Sequence, residues 1–320
     1  GVLRRARRVL TAHATSVYLG AIAVGTGVLL SIGLAYARQA GASPAAQVAI
    51  AVLLLLPASE VAISCVQRLA ARLVPPKRLP RLDVSAGVPT EARTMVIVPT
   101  MLTSSAGVDA MLHHVEVLAL GNLDPCIHFA ILSDFADATA GETPEDAAIL
   151  ERACHGVRAL NLKLGADHAD RFFLFHRSRQ WNAKERAWMG WERKRGKIEE
   201  FNGLLRGATE TSFSTQIGDL ALLPSVRYCL TLDSDTLLPR DAAKRLIGIA
   251  EHPLNRPRFD PAVGRATEGY GILQPRVSVT MASAAGSLFA RLWAGHTGVD
   301  PYTTAVSDVY QDLFNEGIFT

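Results

Sequence analysis

Cysteine is scarce and unpatterned in this chain. The four residues Cys65, Cys126, Cys154 and Cys229 show no Cys-x-x-Cys spacing. That excludes a zinc ribbon and a disulfide framework and points to a reducing compartment. No Gly-x-x-x-x-Gly-Lys-Ser/Thr run occurs, and no Gly-x-Gly-x-x-Gly run. A P-loop and a Rossmann dinucleotide site are therefore disfavoured. Net charge is also nearly absent, at +3 over 320 residues, but its placement is uneven. Residues 1–83 hold ten Lys and Arg against only Glu60 and Asp83, a balance of +8, which leaves −5 for the rest. A mildly acidic body argues against a nucleic-acid partner. A basic, apolar start suggests a membrane anchor joined to a soluble domain.

Charge is missing altogether from Val17 to Ala37. These 21 residues are enough to cross a hydrocarbon core of about 30 Å as a helix. Ala45 to Val66 is a second apolar stretch, interrupted by Pro57 and Glu60. The first run is too long for a signal peptide and no small-residue cleavage site separates it from the second. The pattern predicts a transmembrane hairpin within an N-terminal region of residues 1–83. Two buried helices of a soluble protein are the competing reading. Four arginines precede the first span and Arg68, Arg72, Lys77, Arg78 and Arg81 follow the second, while the loop holds only Arg38. The positive-inside rule places both ends in the cytoplasm. Glu60 is a functional candidate, because ionisable groups inside spans are costly.

After a Pro-rich linker over residues 74–92, the region 84–320 alternates strand and helix. Residues 94–100 (TMVIVPT) read as a buried strand stopped by Pro99, with Thr100 at its end. Residues 108–121 read as a helix, 127–134 as a strand ending in Asp134, 144–160 as a helix and 171–176 as a strand. That order predicts a mostly parallel sheet flanked by helices, whose ligands sit at the carboxyl ends of the strands. Residues 228–232 (YCLTL) form a further apolar run and lead into Asp233-Ser234-Asp235. Acids at i and i+2 on a strand point the same way and repel unless a cation lies between them. Mg²⁺ or Mn²⁺ is the expected ion, since it takes hard carboxylate oxygens together with substrate phosphates. A strand followed by an ordinary polar turn is the blander reading.

The segment 184–202 is densely charged. Trp181, Trp188 and Trp191 crowd beside Arg193, Lys194, Arg195 and Lys197, which suits a nucleotide or sugar phosphate. Gly196 before a helix start would let backbone N–H groups approach a phosphate. Residues 269–278 read as another strand, and Asp308, Asp312 and Glu316 lie among aromatics near the end. The chain stops at Phe319-Thr320 with no closing cap, which predicts a longer protein.

Together KERAWMGWERKRGKIEEFN, LDSDTLLPRDAAKRLIG, HPLNRPRFD, GYGILQPRVSVT and DPYTTAVSDVYQDLFNEG cover most of residues 180–317. With the hairpin before them, they resemble the membrane-bound processive β-glucosyltransferases of GT-A fold. More closely, they are similar to the glycosyltransferase domain (family 84) of cyclic β-1,2-glucan synthases. The resemblance implies a GT-A α/β domain in the bacterial inner membrane. It also implies inverting transfer of glucose from UDP-glucose to a growing β-1,2-glucan acceptor, and further domains of the same polypeptide. It makes Asp233 and Asp235 the Mg²⁺ or Mn²⁺ ligands. It assigns Arg195 and Lys197 to the diphosphate and Asp134 to the nucleoside. Thr100, Asn202, Asp233 and Gln274 join the donor-binding set. It implies Glu316 as the catalytic base, with Asp312 its rival. Another processive polysaccharide synthase is the nearest alternative. A haloacid-dehalogenase phosphatase is opposed by Leu237, which stands where Thr or Val is expected. A non-catalytic subunit of degenerate fold is opposed by the intact acids.

Overall fold

The computed structural model describes residues 12–73, 78–164, 170–275, 280, 285–288 and 291. Contacts divide the chain into two units, residues 1–78 with 274–320, and residues 79–273.

The first unit contains two long helices, α1 (Ala14–Gln39) and α2 (Pro44–Leu73). Both expected spans fall inside them, and both helices are long and apolar enough to cross a membrane. Gly41 makes the turn with φ +77°, a conformation that costs glycine little. The Ser43 side chain accepts a bond from the Ala46 N–H at the start of α2. Arg38 reaches back from α1 to Gln47 Oε1 at 3.0 Å, which ties the loop shut. Pro57 does not end the second helix, which continues to Leu73.

The second unit is an α/β layer structure. Its elements are β1 (Thr94–Leu102), α3 (Ser105–Gly121), β2 (Ile127–Phe135), α4 (Asp146–Leu164), β3 (Phe172–Arg177), β4 (Gln180–Asn182), β5 (Ala187–Met189), α5 (Arg193–Leu205), β6 (Phe213–Ile217), β7 (Tyr228–Thr231), α6 (Ala242–Glu251), β8 (Arg258–Asp260) and β9 (Arg265–Glu268). Five strands form one sheet in the order β6-β3-β2-β1-β7. β1, β2, β3 and β7 run parallel and β6 is antiparallel at one edge. The mostly parallel sheet flanked by helices is thus present as expected.

Alternation along β1 builds two cores. Val96, Val98 and Leu102 pack with Val115 and Leu118 of α3, Val157 of α4 and Ile247 of α6. Met95 and Ile97 face the other way, with Phe173, Phe175, Phe201 of α5 and Phe213. The expected strands and helices before residue 177 all form, with boundaries moved by a few residues.

Three features differ from the sequence reading. β1 runs through Pro99 to Leu102 rather than stopping there. The Ile97 carbonyl accepts from the Leu232 N–H, where β7 has already ended. The N–H that Pro99 lacks would point to that same open side, so no ladder bond is lost. The charged segment starts in the β4–β5 hairpin, with Trp181 opposite Trp188, and α5 begins at Arg193, ahead of Gly196 rather than after it. Residues 269–275 form no strand; a short β8–β9 hairpin precedes them. The rest of that expected strand, residues 276–278, lies outside the described residues.

Candidate active site

In an open α/β sheet the ligand crevice opens at the carboxyl ends of the strands, where chain order reverses. Here β1 lies between β2 and β7, so that point falls between β1 and β7. β7 ends at Thr231, level with Ile97. Asp233, Ser234 and Asp235 follow as an exposed turn, closed by the Thr236 N–H on the Asp233 carbonyl at 3.0 Å. The pair therefore sits just beyond the strand rather than on it.

Lys194, in the first turn of α5, puts its ammonium against Asp233 Oδ1, and both side chains are about half exposed. His114 of α3 stands near the same turn. Burial outweighs the Thr236 and Asp235 contributions and holds its pKa below the usual histidine range. Among the described residues no group of three or more His, Cys, Asp or Glu side chains is arranged to hold a metal. The donor set at this turn is two carboxylates, which is what a magnesium-type ion uses when phosphates complete its shell.

Next to this open turn lies a closed ionic cluster. Asp134 and Arg177 occupy register positions facing each other on β2 and β3. Arg177 grips Asp134 through Nε to Oδ1 at 2.7 Å and Nη2 to Oδ2 at 3.0 Å. Lys197 Nζ lies 2.9 Å from Asp134 Oδ2 and donates to the Thr100 carbonyl at 2.7 Å. Arg177 also donates to Glu200 Oε1 at 3.0 Å and to the Arg193 carbonyl at 3.1 Å. Glu200 in turn accepts from Thr211 Oγ1 and from the Ser212 N–H and hydroxyl. Arg177, Lys197 and Asp134 are thus buried and Glu200 is partly so, with their hydrogen-bonding capacity largely filled, the condition for such a cluster to survive desolvation. Burial lowers the Lys197 pKa, against the attraction of Asp134. Burial pushes Glu200 up, yet the Ser212 and Arg177 bonds hold it below the usual carboxylate range.

Glycine makes this closure possible. A Cβ on Gly190 would lie 2.5 Å from the Asp134 carboxylate carbon, and one on Gly196 would lie 2.0 Å from the Trp191 carbonyl. Gly196 is inside α5, and its N–H is bonded to the Glu192 carbonyl. It does not offer that N–H to a phosphate, as the sequence suggested.

The expected site residues now separate. Asp233, Asp235, Thr100 and the start of α5 converge on the carboxyl end of the sheet. Asp134, expected on the nucleoside, is 3 % exposed and its oxygens are engaged by Arg177 and Lys197. Lys197, expected on the diphosphate, is equally buried. Arg195 points to solvent, 77 % exposed, with Glu199 at 3.8 Å. Helical rotation explains the difference, because Lys194 and Lys197 are three residues apart on one face and Arg195 is turned away. Lys194 is the cation the sequence did not single out from its cluster. Asn202 lies lower on α5, its Oδ1 3.9 Å from Cys229 Sγ on β7. Gln274 is exposed and falls outside the 79–273 unit. Asp312 and Glu316 lie outside the described residues.

Arg179, missed by the sequence reading, is buried and pairs with Asp146 at the start of α4. The two line a cleft of about 610 Å³ beyond β1 and β2, with Leu102, Ser104, Asp137 and Thr143. Of the tryptophans, Trp181 and Trp188 pair across the hairpin with ring centroids 6.0 Å apart, and Trp191 is about half exposed.

The chain matches no protein-family model. It is 40 % identical over 302 residues to the cyclic beta-(1,2)-glucan synthase NdvB of Rhizobium meliloti (strain 1021). The match takes in 92 % of this chain and 11 % of that protein's length. On this identity the chain is related to a cyclic β-(1,2)-glucan synthase, as the counterpart of one part of it.

Proposed function

We propose that residues 84–320 carry an inverting glucosyltransferase that moves glucose from UDP-glucose to a growing β-1,2-glucan. The reading extends the name of a relative of which this chain spans 11 %. The observation that carries it is the Asp233–Asp235 turn at the strand-order reversal, with Lys194 against Asp233. A nucleotide-sugar donor leaves as a diphosphate, and charge must be met where it develops. Asp233 and Asp235 would hold Mg²⁺ or Mn²⁺, which supplies Lewis-acid help to the leaving group. Lys194, beside Asp233 in the first turn of α5, would add positive charge facing the phosphates. Thr100 borders the donor crevice, whereas Asn202 sits lower on α5 beside Cys229. Asp134 and Lys197 act indirectly, by fixing the end of β1 and the start of α5. Glu316, with Asp312 as the rival, takes the proton of the acceptor hydroxyl. The hairpin anchors the domain in the bacterial inner membrane with residues 84–320 on the cytoplasmic side.

The test is release of UDP from UDP-glucose, with formation of β-1,2-linked glucan, by membranes holding the complete protein. Loss of both in Asp233→Asn and Asp235→Asn is expected. Glucan made from another sugar nucleotide, or unchanged turnover in both variants, overturns the reading.

A further inference from the structure

The α1–α2 pair gives Glu60 a depth. A Cβ on Gly25 would lie 3.2 Å from Ala62 Cβ, and one on Gly33 would lie 2.6 Å from Leu54 Cδ1. Moving eight residues up α1 moves eight residues down α2, so the helices are antiparallel and residues at one level have numbers adding to 87. Glu60 is thereby level with Gly27, the midpoint of the charge-free run 17–37.

The same helix gives Glu60 a direction. Ala58 and Ala62 are buried and face α1. Each is two residues from Glu60, roughly 200° around a helix of about 100° per residue. Glu60 therefore points away from α1, on the side where Leu53 and Leu56 are about three-quarters exposed. Among the described residues it has no ion pair or hydrogen bond. If the pair spans the bilayer as proposed above, a carboxylate stands inside the hydrocarbon, about 9 Å short of the end of its own apolar run at Val66. Its short side chain cannot snorkel that far, and lipid offers it no partner.

We propose that this outward face of α2 packs against a further membrane-spanning helix that presents a lysine or arginine to Glu60. A cation bonded to the carboxylate is the cheapest way to keep it in hydrocarbon. A second copy of the hairpin would instead set two carboxylates against each other. The leucines beside Glu60 suit a packed helix rather than a water-filled path.

Photo-crosslinking in cells making the complete protein tests this, with p-benzoylphenylalanine at Leu56 and, should that variant fail to accumulate, at Leu53. The expected adduct is a spanning segment with Lys or Arg near its middle, kept in Glu60→Gln and lost in Glu60→Lys. Adducts to lipid alone, to the same hairpin of another copy, or to glucan overturn the proposal. Val28, at the same depth on the outward face of α1, serves as the control and should give lipid adducts. Their absence there removes the membrane reading on which the proposal rests, whereas lipid adducts at both positions remove the proposal alone.

Discussion

Asp134 and Arg177 close a two-point ion pair across adjacent parallel strands, with both side chains almost fully buried. Lys197 and Glu200 of α5 complete it, so the helix start is tied to β2, β3 and the Thr100 carbonyl. The cluster sets where Lys194 stands relative to Asp233.

Breaking that pair from one side leaves a buried charge unmatched. Asp134→Asn is expected to destabilise the protein by roughly 3–5 kcal/mol. Glu200→Gln is expected to cost less, because Glu200 is more exposed and shares its load with Ser212. Thermal unfolding of the detergent-solubilised chain checks the order, and equal effects would contradict it.

Acid should weaken the fold through two buried histidines. Burial pushes His176 and His128 down to about 4 from the ordinary 6.5, so both are neutral when folded. The unfolded chain binds these protons first, so stability is full above about pH 6.5 and falls as the pH drops towards 4. Glu200 and Asp146 are held below their usual range, so their contribution is lost only at lower pH. His176→Gln should flatten the slope between pH 6.5 and 4.5 in a melting-temperature series; an unchanged slope would refute the assignment.

Metal and lysine should separate at the open turn. Asp233→Ala or Asp235→Ala is expected to abolish glucosyl transfer, as is EDTA, with the protein still in the membrane. Lys194→Met should keep metal dependence but raise the UDP-glucose KM about tenfold, the scale of one charged hydrogen bond. An unchanged KM would leave Lys194 as a surface partner of Asp233 and nothing more.

The proposed orientation rests on the basic flanks and can be tested directly. In inner-membrane vesicles of known sidedness, a protease should cut at the exposed Arg195 from the cytoplasmic face only. Cutting from the periplasmic face alone reverses the topology.

Under the proposed function Glu316 is the base. Glu316→Gln keeps size and hydrogen bonding but removes basicity, so turnover should fall by roughly 10²–10⁴ with donor affinity nearly unchanged. Full activity in Glu316→Gln with loss in Asp312→Asn exchanges the two roles.

The sequence by itself determined the two long apolar helices, the strands up to residue 177 and the place of Asp233 and Asp235 at the close of a further apolar run. Those features depend on local periodicity, which is written in consecutive residues, whereas the pairing of β7 with β1 is a result of the tertiary structure. Only the tertiary structure decided which charges are used up. Asp134 and Arg177 are 43 residues apart and meet because β2 and β3 pair in one register. Arg195 and Lys194 are neighbours in sequence, yet a helix turns successive side chains by about 100°, which sends one to solvent and the other to Asp233. Burial and partner choice are properties of three-dimensional packing, so a run of like charges cannot reveal which member reaches the site.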